Sequence, residues 1–357
     1  MAADEPRAVF VSLVAQHDNL GDLVIRREMV RWLTAPTIRL HALVAGVPDD
    51  FLAAIDLPAT AVLHRTPAHW QAALLTAAAN GRSGLVFAPG PQALQLGARG
   101  LAHEVVNLAN AAALRARGNP VAKTGRSLRG HAPTAVRLER GVHRLSREYW
   151  LRDEPSAQCL GRDVQVLPDI SLAEGAVVSS PGAASARTVV AVSPRHDRGW
   201  SPAEVAALAT DAGTVGQRLV LVTQVRRDEP GHAALAAATG VDHLAWGDRS
   251  TEQQLARVVE LYAQSSLVIA DRLHAVLFGL ACGATPMPRH AVDDKLHPAL
   301  ATLGLPAGLP TGETGLADAL DWRQRHAAAV ADARRTAADT LGTARIRLRR
   351  LFGADDD

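Results

Sequence analysis

The sequence predicts an α/β protein built as two Rossmann-like domains with a cleft between them. Three observations lead there. Short apolar runs alternate with longer stretches of helical period, the pattern of stacked βαβ units around a parallel sheet. The alternation occurs as two series, separated by a stretch rich in Ala, Ser and Gly. The 357-residue length is too great for one ordinary domain and comfortable for two.

In the first series, residues 8–14, 38–45, 61–64 and 85–88 are expected strands, each a compact apolar run. Residues 20–33 read as a helix because Leu20, Val24, Met29 and Trp32 or Leu33 fall near one face. Further helical stretches cover residues 67–80, 101–117 and 133–147, and residues 164–167 are a short strand. Residues 173–187 form the best linker candidate. The second series opens with a strand over 188–192. A helix then starts after Trp200, with Ser201 as N-cap and Pro202 in its first position. Residues 219–223 and 267–270 are strands, 251–264 a helix, and 273–282 a buried helix. The Ala- and Arg-rich segment 314–352 is helical. The expected division is therefore a first domain over 1–175, a second over 186–312 and a helical tail over 313–357.

Bulk properties narrow the partners. A formal net charge of +2 gives no reason to expect nucleic acid. Of the 38 basic residues counted as Lys or Arg, only Lys123 and Lys295 are lysines. Anion recognition therefore falls mainly to arginine, whose planar fork grips carboxylate and phosphate through paired hydrogen bonds. The two cysteines, Cys159 and Cys282, are far apart and show neither metal spacing nor a disulfide framework, which points to a reducing compartment. The polar N-terminus has no signal-peptide layout, and no run approaches the ~18 apolar residues of a membrane span. The expected location is cytoplasmic, at the inner membrane face if the substrate is membrane-linked.

Open α/β sheets bind ligands outside the carboxyl ends of their strands, so chemistry is expected at those junctions. After the first strand stands Asp18-Asn19-Leu20-Gly21-Asp22, where helix N–H groups suit an anionic or hydroxyl-rich ligand. Gly21 permits close approach, and Asp22 is a candidate base or hydroxyl binder. Ala88-Pro89-Gly90-Pro91 follows the fourth strand, again at a strand end, and taken alone reads as a plain turn. Ser193-Pro194-Arg195 ends the first strand of the second series, with Arg198 three residues on. The sharpest group is Asp271-Arg272-Leu273-His274, delivered by an apolar strand to the mouth of an almost wholly apolar helix. There Arg272 supplies a permanent cation, His274 a proton near neutral pH, and Asp271 a helix cap.

The order of these pieces resembles the polysaccharide pyruvyltransferase family. The resemblance rests on Asn19-Leu20-Gly21-Asp22 followed by Ile25, on Arg152-Asp153-Glu154-Pro155-Ser156 leading to Pro168-Asp169, and on Ser193-Pro194-Arg195. It closes with Arg272-Leu273-His274 running to Gly283-Ala284-Thr285-Pro286, then Asp294-Lys295-Leu296. It covers residues 8–305. Pro89-Gly90-Pro91 departs from the family's Gly-rich run, which points to a different acceptor loop, and the tail after 310 matches nothing in the family. The resemblance implies a glycosyltransferase-B-like pair of domains. It also implies transfer of a pyruvyl group from phosphoenolpyruvate to hydroxyls of a sugar in a cell-surface or exopolysaccharide precursor. The product is a pyruvate ketal, and no cofactor or metal is required. On that reading His274 and Asp22 are catalytic, with Asp22 facing His274 across the cleft from the first domain. Arg195, Arg272, Leu273, Asn19, Gly21 and Gly90 bind substrate. Two other readings share the architecture: a glycosyltransferase using a nucleotide sugar, and a catalytically silent glycan-binding relative.

The tail segment 344–352 holds Arg345, Arg347, Arg349 and Arg350 among apolar residues. Peripheral docking to an anionic membrane is one reading. The favoured one is a helix packed on the protein with its arginines outward, because alternating arginine leaves no clean apolar face.

Overall fold

A computed structural model of the chain describes residues 5–94, 97–130, 132–161, 164–177, 187–290 and 296–354. The chain divides into two compact units: Met1–Ala15, Ile25–Ile170 and Thr340–Asp357 form the first, Gln16–Val24 and Ser171–Asp339 the second. Most of the linker candidate, and Asp294 and Lys295 of the last family element, lie outside the described residues.

The elements run in order β1 (Arg7–Ser12), α1 (Leu20–Leu33), β2 (Ile38–Leu43), α2 (Asp49–Ile55), β3 (Val62–His64), α3 (Pro67–Ala79), β4 (Ser83–Phe87), β5 (Gly90–Ala93), α4 (Ala98–Ala116), β6 (Val121–Arg129), α5 (Pro133–Leu145), β7 (Glu148–Leu151), α6 (Glu154–Leu160) and β8 (Gln165–Val166). There follow β9 (Val189–Ser193), α7 (Pro202–Thr214), β10 (Arg218–Val222), α8 (Glu229–Thr239), β11 (Asp242–Leu244), α9 (Thr251–Gln264), β12 (Ser265–Ala270), α10 (Leu273–Ala281), β13 (Thr285–Pro288), α11 (Leu296–Ala301) and α12 (Leu316–Leu351).

In the first unit a parallel sheet has the order β3-β2-β1-β4-β6-β7-β8, with β5 also paired to β6. In the second the order is β11-β10-β9-β12-β13, again parallel. Every residue of β4, β9 and β12 is buried, as a sheet covered on both faces demands. The second unit's core gathers Val190, Val192, Leu221, Leu267 and Ile269 from the sheet and Val205 and Leu316 from the helices.

The expected turn at Pro89-Gly90-Pro91 is a break between two strands, since Gly90 and Pro91 open β5. Gly90 has φ +119°, a region glycine alone enters without strain. The polar strand β6 was not legible as one. Its Lys123 is fully buried and donates to Glu139 Oε1 at 2.5 Å, while the Tyr149 hydroxyl donates to the same oxygen and Gln92 Nε2 to both Glu104 and Glu139. The pairing lets a charged side chain sit in a central strand.

The Arg152–Ser156 element proves to be a clasp. Arg152 Nη1 meets Asp169 Oδ2 at 2.7 Å, both buried, so the element closes on Pro168-Asp169. Asp153 caps α6, accepting from Ser156 N at 2.9 Å and from the Ser127 hydroxyl of β6 at 2.5 Å. Ser156 Oγ accepts in turn from Leu128 N at 2.8 Å. The tail packs as favoured: Leu348 and Phe352 are buried, and Arg347 forms a fork on Glu148 with distances of 3.3 and 2.6 Å. The Phe352 ring occupies the space a side chain on Gly84 would need. Among the described residues no helix is long and apolar enough to cross a membrane.

Replacing Lys123 by Met leaves Glu139 buried without its cation. We expect a loss of about 3 kcal/mol in denaturant unfolding, as for breaking other buried pairs, and recovery of most of it in the Lys123→Met/Glu139→Gln double variant. Equal losses in the single and double variants would show that the unpaired Glu139 charge is not what destabilises the single variant.

Candidate active site

The site is assembled at the carboxyl ends of β9, β10 and β12, which are adjacent in the second sheet. The loop after β9 carries Pro194, Arg195 and His196; the loop after β10 carries Val225 to Asp228; and Asp271 and Arg272 join β12 to α10. Residues 16–24 complete it. Asn19 forms an antiparallel bridge with Val225, Leu20 N donates to Gln224 O at 3.1 Å, and Arg226 N donates to Asp18 O at 2.7 Å. Arg227 clasps the Asp18 carboxylate with two bonds of 2.7 Å. Burial works to raise the Asp18 pKa, but this pairing prevails and holds it low.

This attachment corrects one expectation. Asn19, Gly21 and Asp22 do not face His274 from the first domain; they belong to the second unit, beside it. A Cβ on Gly21 would lie 2.0 Å from His274 Nδ1 and 2.3 Å from its Cγ, so the imidazole rests on bare backbone. Asn19 accepts from Gly21 N at 3.0 Å through Oδ1 and donates to Asp22 Oδ2 at 3.2 Å through Nδ2. Asp22 itself is buried.

Both candidate arginines have carboxylate partners. Arg272 donates Nε to Asp228 Oδ2 at 2.9 Å and Nη2 to Oδ1 at 2.7 Å. Arg195 donates Nε and Nη2 to Asp197 at 2.8 and 2.6 Å, and this pairing holds Asp197 at a pKa of about 2. Asp228 was not anticipated. Its side chain is 1 % exposed and accepts, besides the Arg272 fork, from His196 N at 3.2 Å. Its Oδ1 also lies 2.6 Å from His196 Nδ1, which fixes that imidazole by its Nδ1 edge. Burial pushes the Asp228 carboxyl up, yet the hydrogen bonds from Arg272 and His196 outweigh it and keep it below its ordinary value.

Asp271 does not cap α10 as expected. Arg272 occupies the N-cap position, and Asp271 instead accepts from the Trp200 indole at 2.5 Å and from Arg195 N at 3.3 Å. The fork of Arg289 stacks on Trp200 at 4.2 Å and binds Glu204. Ser201 and Glu204 form the capping box that starts α7. Beneath the loop, His232 joins Pro194 O to the Thr223 hydroxyl at 2.8 Å each, and His243 Nε2 lies 2.9 Å from that hydroxyl. A carbonyl only accepts, so His232 Nε2 carries the hydrogen and Nδ1 accepts from Thr223. Burial lowers the His232 pKa, which favours the neutral ring this pattern requires.

Six of the residues predicted from sequence thus gather in the second unit: Asn19, Gly21, Asp22, Arg195, Arg272 and His274. Leu273 opens α10 between the last two and is half-buried. Gly90 belongs to the first unit, beside Ile25 and Arg26. Asp228, His196 and Trp200 were missed. Asp228 lies on the loop after β10, a strand end like those of β9 and β12 that carry Arg195 and Arg272. Among the described residues no three His, Cys, Asp or Glu side chains gather as a metal site.

The fold, with its two parallel sheets, is similar to that of solved structures of low sequence identity. UDP-GlcNAc 2-epimerase from Neisseria meningitidis, bound to UDP-GlcNAc, aligns with TM-score 0.56 at 10 % identity, covering 96 % of this chain and 99 % of that one. UGT2 of Phytolacca americana, complexed with UDP-2-fluoro-glucose and pterostilbene, aligns with TM-score 0.51 at 12 % identity, covering 94 % of each chain. No curated protein sequence matches the chain. The fold is therefore that of the GT-B-type glycosyltransferases and epimerases, two Rossmann-like domains. The profile of the polysaccharide pyruvyl transferase family matches residues 19–285, from Asn19 to the start of β13, and the chain belongs to that family.

Substituting Asp228 by Asn removes the charge that Arg272 and His196 share. We expect a loss of about 3 kcal/mol at neutral pH. Because the folded-state pKa is depressed, this contribution is present above the unfolded value near 4 and disappears as pH falls through the folded value. Unfolding of both proteins across pH 2 to 7 checks this; a gap that stays constant with pH would refute it.

Proposed function

We propose that the protein transfers the pyruvyl group of phosphoenolpyruvate to two hydroxyls of a sugar in a surface-polysaccharide precursor, releasing inorganic phosphate. What carries this reading is the meeting of motifs far apart in sequence: Asn19 to Asp22, bridged to the loop after β10, with Ser193 to Arg195 and Arg272 to His274 at the tips of β9 and β12.

The donor carries a carboxylate and a phosphate. Arg272, with its Nε and one Nη engaged by Asp228, retains donors for one of them. Arg195 serves the other, its backbone tied to Asp271. In the proposed chemistry His274 delivers a proton to the methylene carbon and leaves C2 electrophilic. A sugar hydroxyl adds to C2 and gives up its proton, with Asp22 as the acceptor or orienting group. A second hydroxyl then displaces phosphate, whose leaving oxygen takes up the balancing proton, and the cyclic ketal closes. Rigid pairing matters here, because guanidinium groups already oriented stabilise developing charge without reorganisation. Cytoplasmic action on a precursor accords with this donor.

The test is release of phosphate from phosphoenolpyruvate with a panel of sugar acceptors, with mass spectrometry for one added pyruvyl ketal. His274→Ala should lower kcat by about 10²-fold or more, the range of a positioned general acid. A variant keeping more than about a tenth of the wild-type rate would remove His274 from that role. Thermal shift separates the nucleotide-sugar reading: phosphoenolpyruvate should raise Tm, and UDP- or GDP-sugars should not.

A further inference from the structure

At the opposite, N-terminal edge of the second sheet lies a cavity of about 250 Å³ that the proposed reaction does not use. Arg187, which leads into β9, lines it, and so do Arg323 and Arg334 of α12. Thr285 and the apolar Leu280 and Val330 form other parts of its wall. The six-residue strand β12 separates this edge from Arg272, a distance of about 20 Å along the strand.

The three guanidinium groups share an unusual environment. Arg187 donates to the carbonyls of Tyr262, Ser265 and Cys282 at 3.3, 2.8 and 2.7 Å. Arg323 donates to Gly283 O at 3.2 Å and Arg334 to Ala281 O at 3.0 Å. These acceptors are neutral. Among the described residues none of the three arginines forms an ion pair with a carboxylate. Two of them converge: Arg187 Nη2 and Arg334 Nη1 lie 2.8 and 3.7 Å from the point where a side chain on Gly283 would begin. Burial and the charge of Arg334 both push the Arg187 pKa down, and burial and Arg187 do the same to Arg323. The carbonyl ends of α9 and α10, which Arg187 meets at Tyr262 and Cys282, each offset roughly half an elementary charge. Three cations around one cavity therefore leave most of their charge uncompensated.

We propose that this cavity is a second ligand site, one that takes a phosphate-bearing small molecule. A single carboxylate brings one charge, whereas a phosphate group brings nearly two and three oxygens that match the guanidinium forks. The apolar wall of Leu280 and Val330 suits the organic part of a phosphate ester. The site is separate from the proposed donor site, so either can fail without the other.

Calorimetric titration of the full chain with inorganic pyrophosphate tests this. Wild type should bind saturably. The Arg323→Gln/Arg334→Gln variant should bind about tenfold more weakly or worse, given the strength of charge-assisted hydrogen bonds, and His274→Ala should bind as wild type does. Because the double variant also releases the end of α10, a second measurement uses unmodified protein. Pyrophosphate should protect Arg187, Arg323 and Arg334 from phenylglyoxal, read residue by residue by mass spectrometry. Absence of saturable binding overturns the proposal, as does binding unchanged in the double variant, or labelling of these arginines that pyrophosphate leaves unaltered.

Discussion

Burying the Asp228 carboxylate is tolerable only because its hydrogen bonds with Arg272 and His196 satisfy it, and that requirement draws three loops together. His196 comes from the loop after β9, Arg272 from the end of β12, and Asp228 itself from the loop after β10. Val225, three residues upstream, carries the bridge to Asn19. The same loop thus sets the fork of Arg272 and brings Gly21 against His274. Removing the carboxylate would unseat several functional groups rather than one.

The partnering of both strand-end arginines changes how an anion would be recognised. Bare charge attracts any anion and falls off under salt, whereas a guanidinium already held on one edge by a carboxylate offers its remaining N–H groups in one direction. Discrimination then comes from geometry. A similar economy governs the first unit, where the Arg152–Asp169 pair and the capping of α6 by Asp153 account for a family element without recourse to substrate.

The fold was legible because parallel strands buried on both faces must be apolar runs. Helix α1 and helix α9 begin and end where their periodicity places them. Strand β6 was not legible: its Lys123 is compensated by Glu139, 16 residues on in α5, a pairing that periodicity does not reveal. The site was legible where chemistry stood out from an apolar background, at Arg272 and His274. It was hidden where function depends on pairing. Nothing local marks Asp228 as the mate of Arg272, 44 residues away. The grouping of residues 16–24 with the second unit was equally out of reach, because it rests on backbone hydrogen bonds to Gln224 and from Arg226, which leave no mark in the sequence, and on the pairing of Asp18 with Arg227, 209 residues away.

Gly21 illustrates a different kind of restriction. The His274 ring stands where a side chain at position 21 would stand, and the smallest addition available to an L-amino acid is a whole methyl group. There is no intermediate size, so this position offers no gradual variants. Tuning the tilt of that imidazole must proceed through neighbours that can change by degrees, such as Asp18 and Asn19, while the backbone seat beneath it stays as it is.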